Sequence, residues 1–531
     1  MSRIRFPAQL AAVFAAMLVV AGCATLGPAP ESVSPQAQTQ AAQNRVQAAD
    51  AALKRGNADA ALKQLAAMPS PVSPAVEREA LDVASRAQLA LGNRLAAARA
   101  LARRVPLLPE SEQAAERTRA VTILAGMGES ALGAAYPSLA DNDPVRAYVK
   151  QALARAGVAV AESLPQLNEP VGTLTASATP QGFEMPAHVA LLLPATGPVA
   201  VAGAAVRDGF FVAYFHTPAT QERRPTINVY DTGGTPDGAV AAYQQAVTDG
   251  ASLVVGPLGR ANVAAVFAQS SLPVPVLALN HPDGNQPVPP GSAEFGLMPN
   301  AEGAQLAAHM ITAGLHAAIV FRADGATASR TFAGFKTQFE SLGGQIANDI
   351  VLPQGAVDFA NQIQAALAGS GSETGIVALL RPVQARLLLP QLRLARSTLP
   401  AFATSIVYSG DQNQTANGDL DGVQFCDEPW LYDAQPGLPS HTTMASQLLT
   451  ADGPAARLFA FGMDAYALMP YLNWLRSHPG SYLPGATGQL TMDAFGHVQR
   501  TPIWVEFQGG IARPVAAGLE PQPAAAASTG P

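Results

Sequence analysis

The sequence predicts a chain of two folded parts, an all-helical segment followed by a larger α/β part. Residues 41–160 are rich in Ala, Leu, Gln and Arg and almost lack runs of β-branched residues, a texture that favours helices. From His188 onward, short apolar runs alternate with helix-length amphipathic stretches, which is typical of parallel strands joined by helices. A proline-punctuated segment (161–187) separates the two textures. We therefore expect an α + α/β fold with a linker between two independently folding parts.

The first residues have the pattern of an export signal that ends at a cysteine. Arg3 and Arg5 precede an apolar run that is long enough for a signal peptide and too short to span a bilayer comfortably. The run ends at Val-Ala-Gly-Cys23, which resembles a bacterial lipobox; an ordinary signal peptide with a chance cysteine is the alternative. The resemblance implies removal of residues 1–22 and a covalent lipid on Cys23, with no other cofactor.

The residues that follow Cys23 predict an anchored protein on the periplasmic side of the outer membrane. Lipoproteins of this kind that stay in the inner membrane usually carry Asp after the lipidated cysteine, so Ala24 implies transfer to the outer membrane. Residues 23–40 and 516–531 lack periodicity, which predicts a flexible tether and a disordered tail. A formal net charge of −7 argues against nucleic-acid binding.

The second of the two cysteines, Cys426, has no partner for an internal disulfide once Cys23 carries lipid. We expect Cys426 to be a small buried hydrophobe at a strand end, with a reactive thiol as the alternative. Its neighbours Asp427 and Glu428 are acidic and do not favour the thiolate.

A repeat with a period of 36 residues marks the helical segment. Gly56, Gly92 and Gly128 each follow a helix-length stretch and open another, as a turn between antiparallel helices requires. The period resembles that of tetratricopeptide-like (TPR-like) helical hairpins, although the consensus Trp and Tyr are absent; a generic helical bundle with coincident glycines is the alternative. Stacked hairpins would offer a concave surface to other proteins.

Two sets of apolar runs predict two doubly wound lobes within residues 188–515. The runs are 189–193, 227–231, 251–256 and 274–279 in the first lobe, and 317–321, 346–352, 375–380 and 402–408 in the second. The chain returns to helix near 455–475 and to strands near 488–515, which would give crossovers between the lobes. This is the pattern of a type I periplasmic-binding-protein fold.

Three regions carry a resemblance to one family. They are HVALLLPATGPVAVAGAAVRDGFFVAY (188–214), GASLVVGPLGRANVAAV (250–266), and FGMDAYALMPYL with GATGQLTMDAFGHVQRTPIWVEFQGG (within 461–510). Together with the lipobox and the repeats, they resemble the LppC family of penicillin-binding-protein activators. The resemblance implies a non-enzymatic outer-membrane lipoprotein that binds and stimulates a class A penicillin-binding protein, a peptidoglycan synthase. The alternative is a lipid-anchored solute-binding receptor that serves an ABC importer of an amino-acid-like ligand.

The sequence contains no constellation typical of catalysis or of a metal site. The eight histidines are scattered, and no pair has the i, i+4 spacing of a helical zinc site. The stretch GSGSETG (369–375) has the glycines of a phosphate loop but precedes a predicted strand instead of following one. We therefore expect neither catalytic residues nor a metal.

A small ligand, if one binds, should lie between the lobes at the carboxyl ends of the strands. The candidate cleft residues are Thr196, Gly197, Asp231, Gly256, Pro257, Asn280, Arg322, Asp411 and Asp464. Helices that begin near residues 197 and 258 offer free N–H groups to a carboxylate or phosphate, and Arg322 could pair bidentately with such an anion. The alternative is that the Gly and Pro residues serve short turns and that Thr196 caps a helix.

Overall fold

A computed structural model describes residues 35–140, 142–158, 160, 169–170, 183, 185–217, 224–282, 286–410 and 413–515. The predicted signal peptide, Cys23 and the predicted tail (516–531) lie outside the described residues, as does most of the predicted linker. None of the described helices is both long and apolar enough to cross a membrane. The chain divides into two compact units, one up to Val83 and one from Ala84 onward.

The amino-terminal helices follow the glycine repeat. They are α1 (Pro35–Lys54), α2 (Ala58–Ala66), α3 (Pro74–Ala90), α4 (Arg94–Arg104), α5 (Glu110–Ala125), α6 (Glu129–Ala135) and α7 (Arg146–Arg155). Gly56, Gly92 and Gly128 have φ angles of +79°, +78° and +82°, in the left-handed region that favours glycine at the end of a helix. The predicted turns at these three glycines are therefore confirmed.

Helix α1 begins earlier than the sequence predicts, inside the segment assigned to the tether (23–40). Its first residue is Pro35, whose fixed φ suits the first turn of a helix. Ala42, Val46 and Ala49 of this helix are buried, and α1 packs against α2. Packing of these apolar residues thus stabilises a helix in a Gln-rich stretch whose sequence shows no obvious apolar period.

The compact units differ from the two parts predicted by sequence texture. Their boundary falls within α3, and α4 to α7 belong to the same unit as the α/β part. Tyr148 of α7 meets Phe495 edge-on, with ring centroids 5.1 Å apart, and Phe495 packs against the apolar cluster formed by α4 to α7. Phe495 thus gives the helices α4 to α7 and the α/β part an apolar contact, and the expectation that residues 41–160 and 188–515 fold independently stays a prediction.

The first lobe is built as predicted, from parallel strands joined by helices. Its elements are β2 (His188–Leu193), α8 (Ala200–His216), β3 (Thr226–Asp231), α9 (Pro236–Thr248), β4 (Leu253–Val255), α10 (Arg260–Phe267), β5 (Val276–Ala278) and β6 (Ala293–Glu294). The sheet order is β3-β2-β4-β5-β6, and every pairing in it is parallel. The short strand β1 (Glu169–Pro170) precedes this lobe and lies inside the predicted linker.

The second lobe continues the alternation. It comprises α11 (Pro299–Thr312), β7 (Ala317–Ala323), α12 (Ala326–Ser341), β8 (Gln345–Leu352), α13 (Ala360–Leu367), β9 (Thr374–Leu379), α14 (Pro382–Leu394), β10 (Ala401–Ala403), α15 (Gln414–Asn417), β11 (Val423–Asp427) and α16 (His441–Gln447). Strand β10 is shorter than the predicted run 402–408, because Ser405–Val407 forms a 3-10 turn. Cys426 lies in β11 and is fully buried, as predicted, and burial raises the pKa of its thiol.

The last elements cross between the lobes, as the sequence predicts. They are α17 (Ala456–Leu468), α18 (Leu472–Ser477), β12 (Ser481–Pro484), β13 (Gln489–Met492), β14 (Val498–Thr501), β15 (Ile503–Gln508) and β16 (Ile511–Pro514). Helix α17 packs against α8 of the first lobe, while β15 and β16 complete the second sheet, whose order is β16-β15-β11-β10-β9-β7-β8. A separate sheet has the order β1-β12-β13-β14.

Glycines allow a close helix crossing in each of these lobes. A Cβ at Gly209 of α8 would lie closer than 3.0 Å to the Phe459 carbonyl of α17, and one at Gly462 of α17 would similarly meet the Val206 carbonyl of α8. Gly303 of α11 faces α12 in the same way. Backbone therefore packs on backbone, which explains the glycines in the stretches VRDGF and FGMDAY.

Candidate functional site

Three of the predicted cleft residues meet at the carboxyl ends of β2 and β3. Asp231 Oδ1 accepts hydrogen bonds from the backbone N–H groups of Ala195 (2.8 Å), Thr196 (3.2 Å) and Gly233 (2.8 Å), and Thr196 Oγ1 donates to Asp231 Oδ2 at 2.7 Å. The hydroxyl of Thr196, followed by these N–H groups, lowers the pKa of Asp231 to about 2. Gly197, with φ +86°, has no room for a Cβ beside the Gly233 carbonyl. The carboxylate thus organises the loop that precedes α8.

A second group of predicted residues holds the neighbouring turn. Gly256, with φ +107°, donates its N–H to the Leu277 carbonyl at 2.8 Å, and the Pro257 carbonyl accepts from Leu279 N at 3.1 Å. Asn280 Nδ2 donates to the Leu258 carbonyl at 2.9 Å. These residues hold the ends of β4 and β5 together. The sequence analysis gave this role in short turns as the alternative to ligand binding.

Arg322, a candidate from the second lobe, is paired within its own lobe. Arg322 forms a bidentate pair with Asp349 of β8, with Nε–Oδ1 at 2.7 Å and Nη2–Oδ2 at 3.0 Å, and its guanidinium lies over the Phe332 ring. The hydrogen bond from Asp349 raises the pKa of Arg322. The fork that was expected to receive an anion is therefore occupied by a carboxylate of the chain itself. Asp411 lies outside the described residues.

Asp464 is buried within α17 and fastens that helix to the turn between β12 and β13. Its Oδ1 accepts from Ala486 N at 2.6 Å, and its Oδ2 accepts from Thr487 N at 2.8 Å and Thr487 Oγ1 at 2.6 Å. Burial raises the pKa of Asp464 to about 6, against the opposing effect of these hydrogen bonds. A Cβ at Gly485 would collide with the carboxylate. This contact joins the stretches FGMDAY and GATGQL in the folded chain.

Sequence analysis missed a buried charge cluster at the crossovers between the lobes. Arg457 at the start of α17 pairs bidentately with Asp427 at the end of β11, with Nε–Oδ1 at 2.8 Å and Nη2–Oδ2 at 2.7 Å. Arg500 of β14 pairs with Glu302 of α11, and its Nη1 lies 3.7 Å from Glu428 Oε1. Burial raises the pKa of Glu428 well above its ordinary value. These ion pairs brace the crossovers, since breaking one would leave a buried charge unpaired.

A second missed cluster shapes the turn that carries Phe495. Asp493 Oδ1 accepts from the N–H groups of Phe495 (2.9 Å) and His497 (3.0 Å), while Asp493 Oδ2 lies 2.8 Å from His497 Nδ1. His281 Nδ1 and Glu294 Oε2 are 2.9 Å apart beside it. Although burial opposes the charge, Asp493 and Glu294 raise the pKa of His497 to about 9. Among the residues that the structure describes, no group of three or more His, Cys, Asp or Glu side chains is arranged to hold a metal.

Comparisons with known proteins agree with this architecture. Residues 29–510 match the family model described as LppC putative lipoprotein. The chain is 26% identical over 408 residues to the penicillin-binding protein activator LpoA of Yersinia pseudotuberculosis, covering 62% of this chain and 61% of that protein. It is 28% identical over 344 residues to the LpoA of Pantoea ananatis, covering 55% and 50%. The chain therefore spans about half to three fifths of the length of these curated relatives.

Solved structures match the fold. Full-length LpoA from Haemophilus influenzae aligns with a TM-score of 0.54 and 22% identity over 90% of this chain and 88% of that chain. The C-domain of the same species' LpoA, described as a regulator of PBP1A, aligns with a TM-score of 0.52 and 26% identity over 62% and 99%. A putative branched-chain amino acid ABC transporter from Rhodospirillum rubrum aligns with a TM-score of 0.53 and 20% identity over 62% and 100%. The expectation of helices followed by a periplasmic-binding-protein-like domain is thus confirmed.

Proposed function

The chain belongs to the LppC family of putative lipoproteins, and we infer from this membership that it activates a class A penicillin-binding protein, a synthase of peptidoglycan. The family match over residues 29–510 carries the proposal, and the relatives named as activators are 26–28% identical to this chain. The activator itself would be non-catalytic, acting only through contact with the synthase.

The geometry at the strand ends supports a protein-binding role over the solute-receptor alternative. A receptor for an amino-acid-like solute needs polar groups directed at the ligand. Here Asp231 serves its own loop and Arg322 is held by Asp349. The crossovers, which a receptor bends when it closes on its solute, carry the buried pair between Arg457 and Asp427.

The anchor and the helices complete the proposal. A lipid on Cys23 would hold the chain at the periplasmic face of the outer membrane, because several acyl chains together anchor stably where a single one does not. The hairpins that turn at Gly56, Gly92 and Gly128 would form a TPR-like scaffold for protein contacts. Docking would favour the active conformation of the synthase by differential affinity, and a tenfold shift of that equilibrium requires about 1.4 kcal/mol.

The proposal is tested with the purified mature chain and its cognate class A synthase. We expect saturable binding and a higher transpeptidase rate on a lipid-linked precursor, without any added small molecule. A Cys23→Ser variant, measured in detergent solution, should activate equally, since the lipid only localises the protein. No binding at micromolar concentrations, together with thermal stabilisation by an amino acid such as leucine, would favour the receptor instead; a ligand at one hundred times its Kd adds about 2.7 kcal/mol.

A further inference from the structure

Helix α14 turns an apolar stripe toward solvent. Its buried face packs in the core of the second lobe and consists of Ala385, Leu388, Leu389 and Leu392. On the opposite face, within roughly 60° of one another at 3.6 residues per turn, lie Val383, Leu387, Pro390 and Leu394. Val383 is 70% exposed and Leu394 is 82% exposed. A helix that packs on one side normally presents polar residues on the other, so this stripe replaces the expected polar face.

A valine from a neighbouring loop widens the stripe. Gln391 Nε2 donates to the Val357 carbonyl at 2.9 Å, which holds that loop against α14, and Val357 is 66% exposed. Oδ1 of the adjacent Asp358 accepts the N–H of Ala360 at 3.0 Å, at the start of α13. Single exposed apolar residues are common, whereas a grouped set rimmed by polar side chains marks an interaction surface. The name α14 face is used below for Val357, Val383, Leu387, Pro390 and Leu394.

The charged residues of α14 and its two ends are all arginines. Residues 381–396 contain four Arg and no Asp, Glu or Lys, in a chain whose formal net charge is −7. On one side of the helix, Arg386 Nη2 donates to Asn417 Oδ1 and Arg393 Nη2 donates to the Asp421 carbonyl, both at 2.6 Å. Because Asp419 and Asp421 belong to the loop on that side, they partly offset the positive charge there.

Two further arginines stand at the ends of the α14 face. Arg381 precedes the helix and Arg396 follows it, and both are exposed. Within the described part of the chain, neither of them forms an ion pair. Arginine can lay its aliphatic stem along hydrocarbon while its guanidinium stays at the level of the lipid phosphates. Apolar residues between basic ones on the outer side of a helix are typical of a helix that lies on a membrane surface.

The size and charge of the α14 face favour a bilayer over a protein. A helix of 13 residues is about 20 Å long and presents about 200 Å² on one side, against about 800 Å² per partner in a stable protein interface. Two copies joined through this face would bring arginines together at its ends, whichever way the helices ran. A bilayer needs only a weak contact, because the lipid anchor expected in a family of putative lipoproteins supplies a high effective concentration.

We propose that the α14 face lies on an anionic phospholipid surface. Val383 and Leu394 enter the boundary between headgroups and acyl chains, and Arg381 and Arg396 contact the phosphates. The anchor brings the surface close, and the α14 face orients the second lobe on it. This contact is separate from the proposed activation of a synthase and is measured without one.

The experiment is flotation of the full mature chain, carrying Cys23→Ser, with vesicles of phosphatidylglycerol and phosphatidylcholine in equal parts or of phosphatidylcholine alone. Without a lipid on residue 23, binding reports the protein surface itself. We expect partitioning onto the anionic vesicles to exceed that onto the neutral ones by about fivefold or more. Salt at about 1 M should abolish the difference, because the Debye length falls to about 3 Å.

Arg381→Gln combined with Arg396→Gln should weaken partitioning onto anionic vesicles by roughly fivefold for each arginine. Arg330→Gln is the matched control and should leave it unchanged. Arg330 is exposed on α12, which packs on the opposite face of the second sheet from α14.

Leu394→Gln should also weaken partitioning by roughly fivefold, because a side chain that enters the bilayer loses its apolar area. Leu449→Gln is its control: Leu449 is 93% exposed but lies in a 3-10 turn beside α17, outside the α14 face. Equal partitioning onto the two kinds of vesicle, or equal losses in a variant and its control, would overturn the proposal. Absence of vesicle binding, with a synthase that binds the wild type but not Leu394→Gln, would assign the face to a protein partner instead.

Discussion

At the scale of single residues, Asp464 has a role that neither its charge nor its spacing reveals. Its carboxylate accepts three hydrogen bonds from Ala486 and Thr487, and it is fully buried. An amide at this position would turn a donor toward one of those N–H groups. Asp464→Asn should therefore lower the free energy of unfolding by about 2–4 kcal/mol, measured by urea denaturation.

Asp349→Asn is the matched control for this substitution. It also removes one carboxylate, but Asp349 pairs with Arg322 near solvent, where an ion pair contributes about 0–1 kcal/mol. Equal losses of stability in the two variants would mean that the buried hydrogen bonds of Asp464 contribute no more to stability than the Asp349 ion pair does.

His497 makes stability depend on pH in a defined direction. Its pKa is about 9 in the folded chain, against an ordinary value of 6.5, because Asp493 and Glu294 favour the imidazolium. A raised pKa means that the stabilisation is complete below pH 6.5 and is lost as the pH rises through 9. We expect the unfolding free energy to fall across this window by no more than about 3 kcal/mol, and His497→Gln to flatten the fall. A variant with the wild-type slope between these pH values would refute the assignment to His497.

Sequence reasoning found some of these residues and missed others for a physical reason. Thr196 and Asp231 were predicted to lie together because the carboxyl ends of neighbouring parallel strands share one edge of a sheet. The sequence predicts Asp464 as a cleft residue of the second lobe. Its hydrogen bonds to the turn between β12 and β13 could not be predicted, because a helix that is buried on nearly every side gives no period from which to read its faces. Arg500 and Glu302 are 198 residues apart, so no local pattern could pair them.

At the scale of elements, the crossing of α8 and α17 depends on glycine. A methyl group at Gly462 would meet the Val206 backbone, which has no rotamer with which to yield. Gly462→Ala should destabilise the chain by at least about 2 kcal/mol, because the helices must separate. Gly133→Ala in α6 is the control: nothing lies within 4 Å of its added Cβ, so helix propensity should make that change neutral or stabilising by up to about 1 kcal/mol. Equal melting temperatures of the two variants would argue against the close crossing.

Some turns and strands could be predicted from sequence patterns alone. Glycine spacing located the turns at Gly56, Gly92 and Gly128, since a left-handed residue leaves a local signature. The apolar runs located the parallel strands, because strands buried on both faces are continuously hydrophobic. The start of α1 at Pro35 was missed, since a helix that packs mainly through alanines lacks a strong apolar period.

At the scale of the whole molecule, the helices α4 to α7 contact the α/β part through Phe495, which packs against their apolar cluster. A fragment of residues 188–515 would expose this ring, whereas a fragment of residues 84–515 keeps it covered by Tyr148. We expect the shorter fragment to have a lower free energy of unfolding and therefore to unfold at a lower urea concentration. The loss of free energy should be similar to the loss that Phe495→Ala causes in the longer fragment, about 3 kcal/mol or less for a half-buried ring. Identical midpoints for the two fragments would support the separate folding that sequence texture suggested.

The paired glycines of α8 and α17 also restrict how this chain can evolve. Gly209 and Gly462 each face the backbone of the other helix, so a side chain at either position displaces the whole crossing. No single mutation elsewhere restores the lost space, because the obstacle is main chain. Natural selection should therefore retain both glycines in lineages that have replaced nearly three quarters of the aligned residues, and an ortholog that has lost one should have lost the other or should show a wider separation of the two helices.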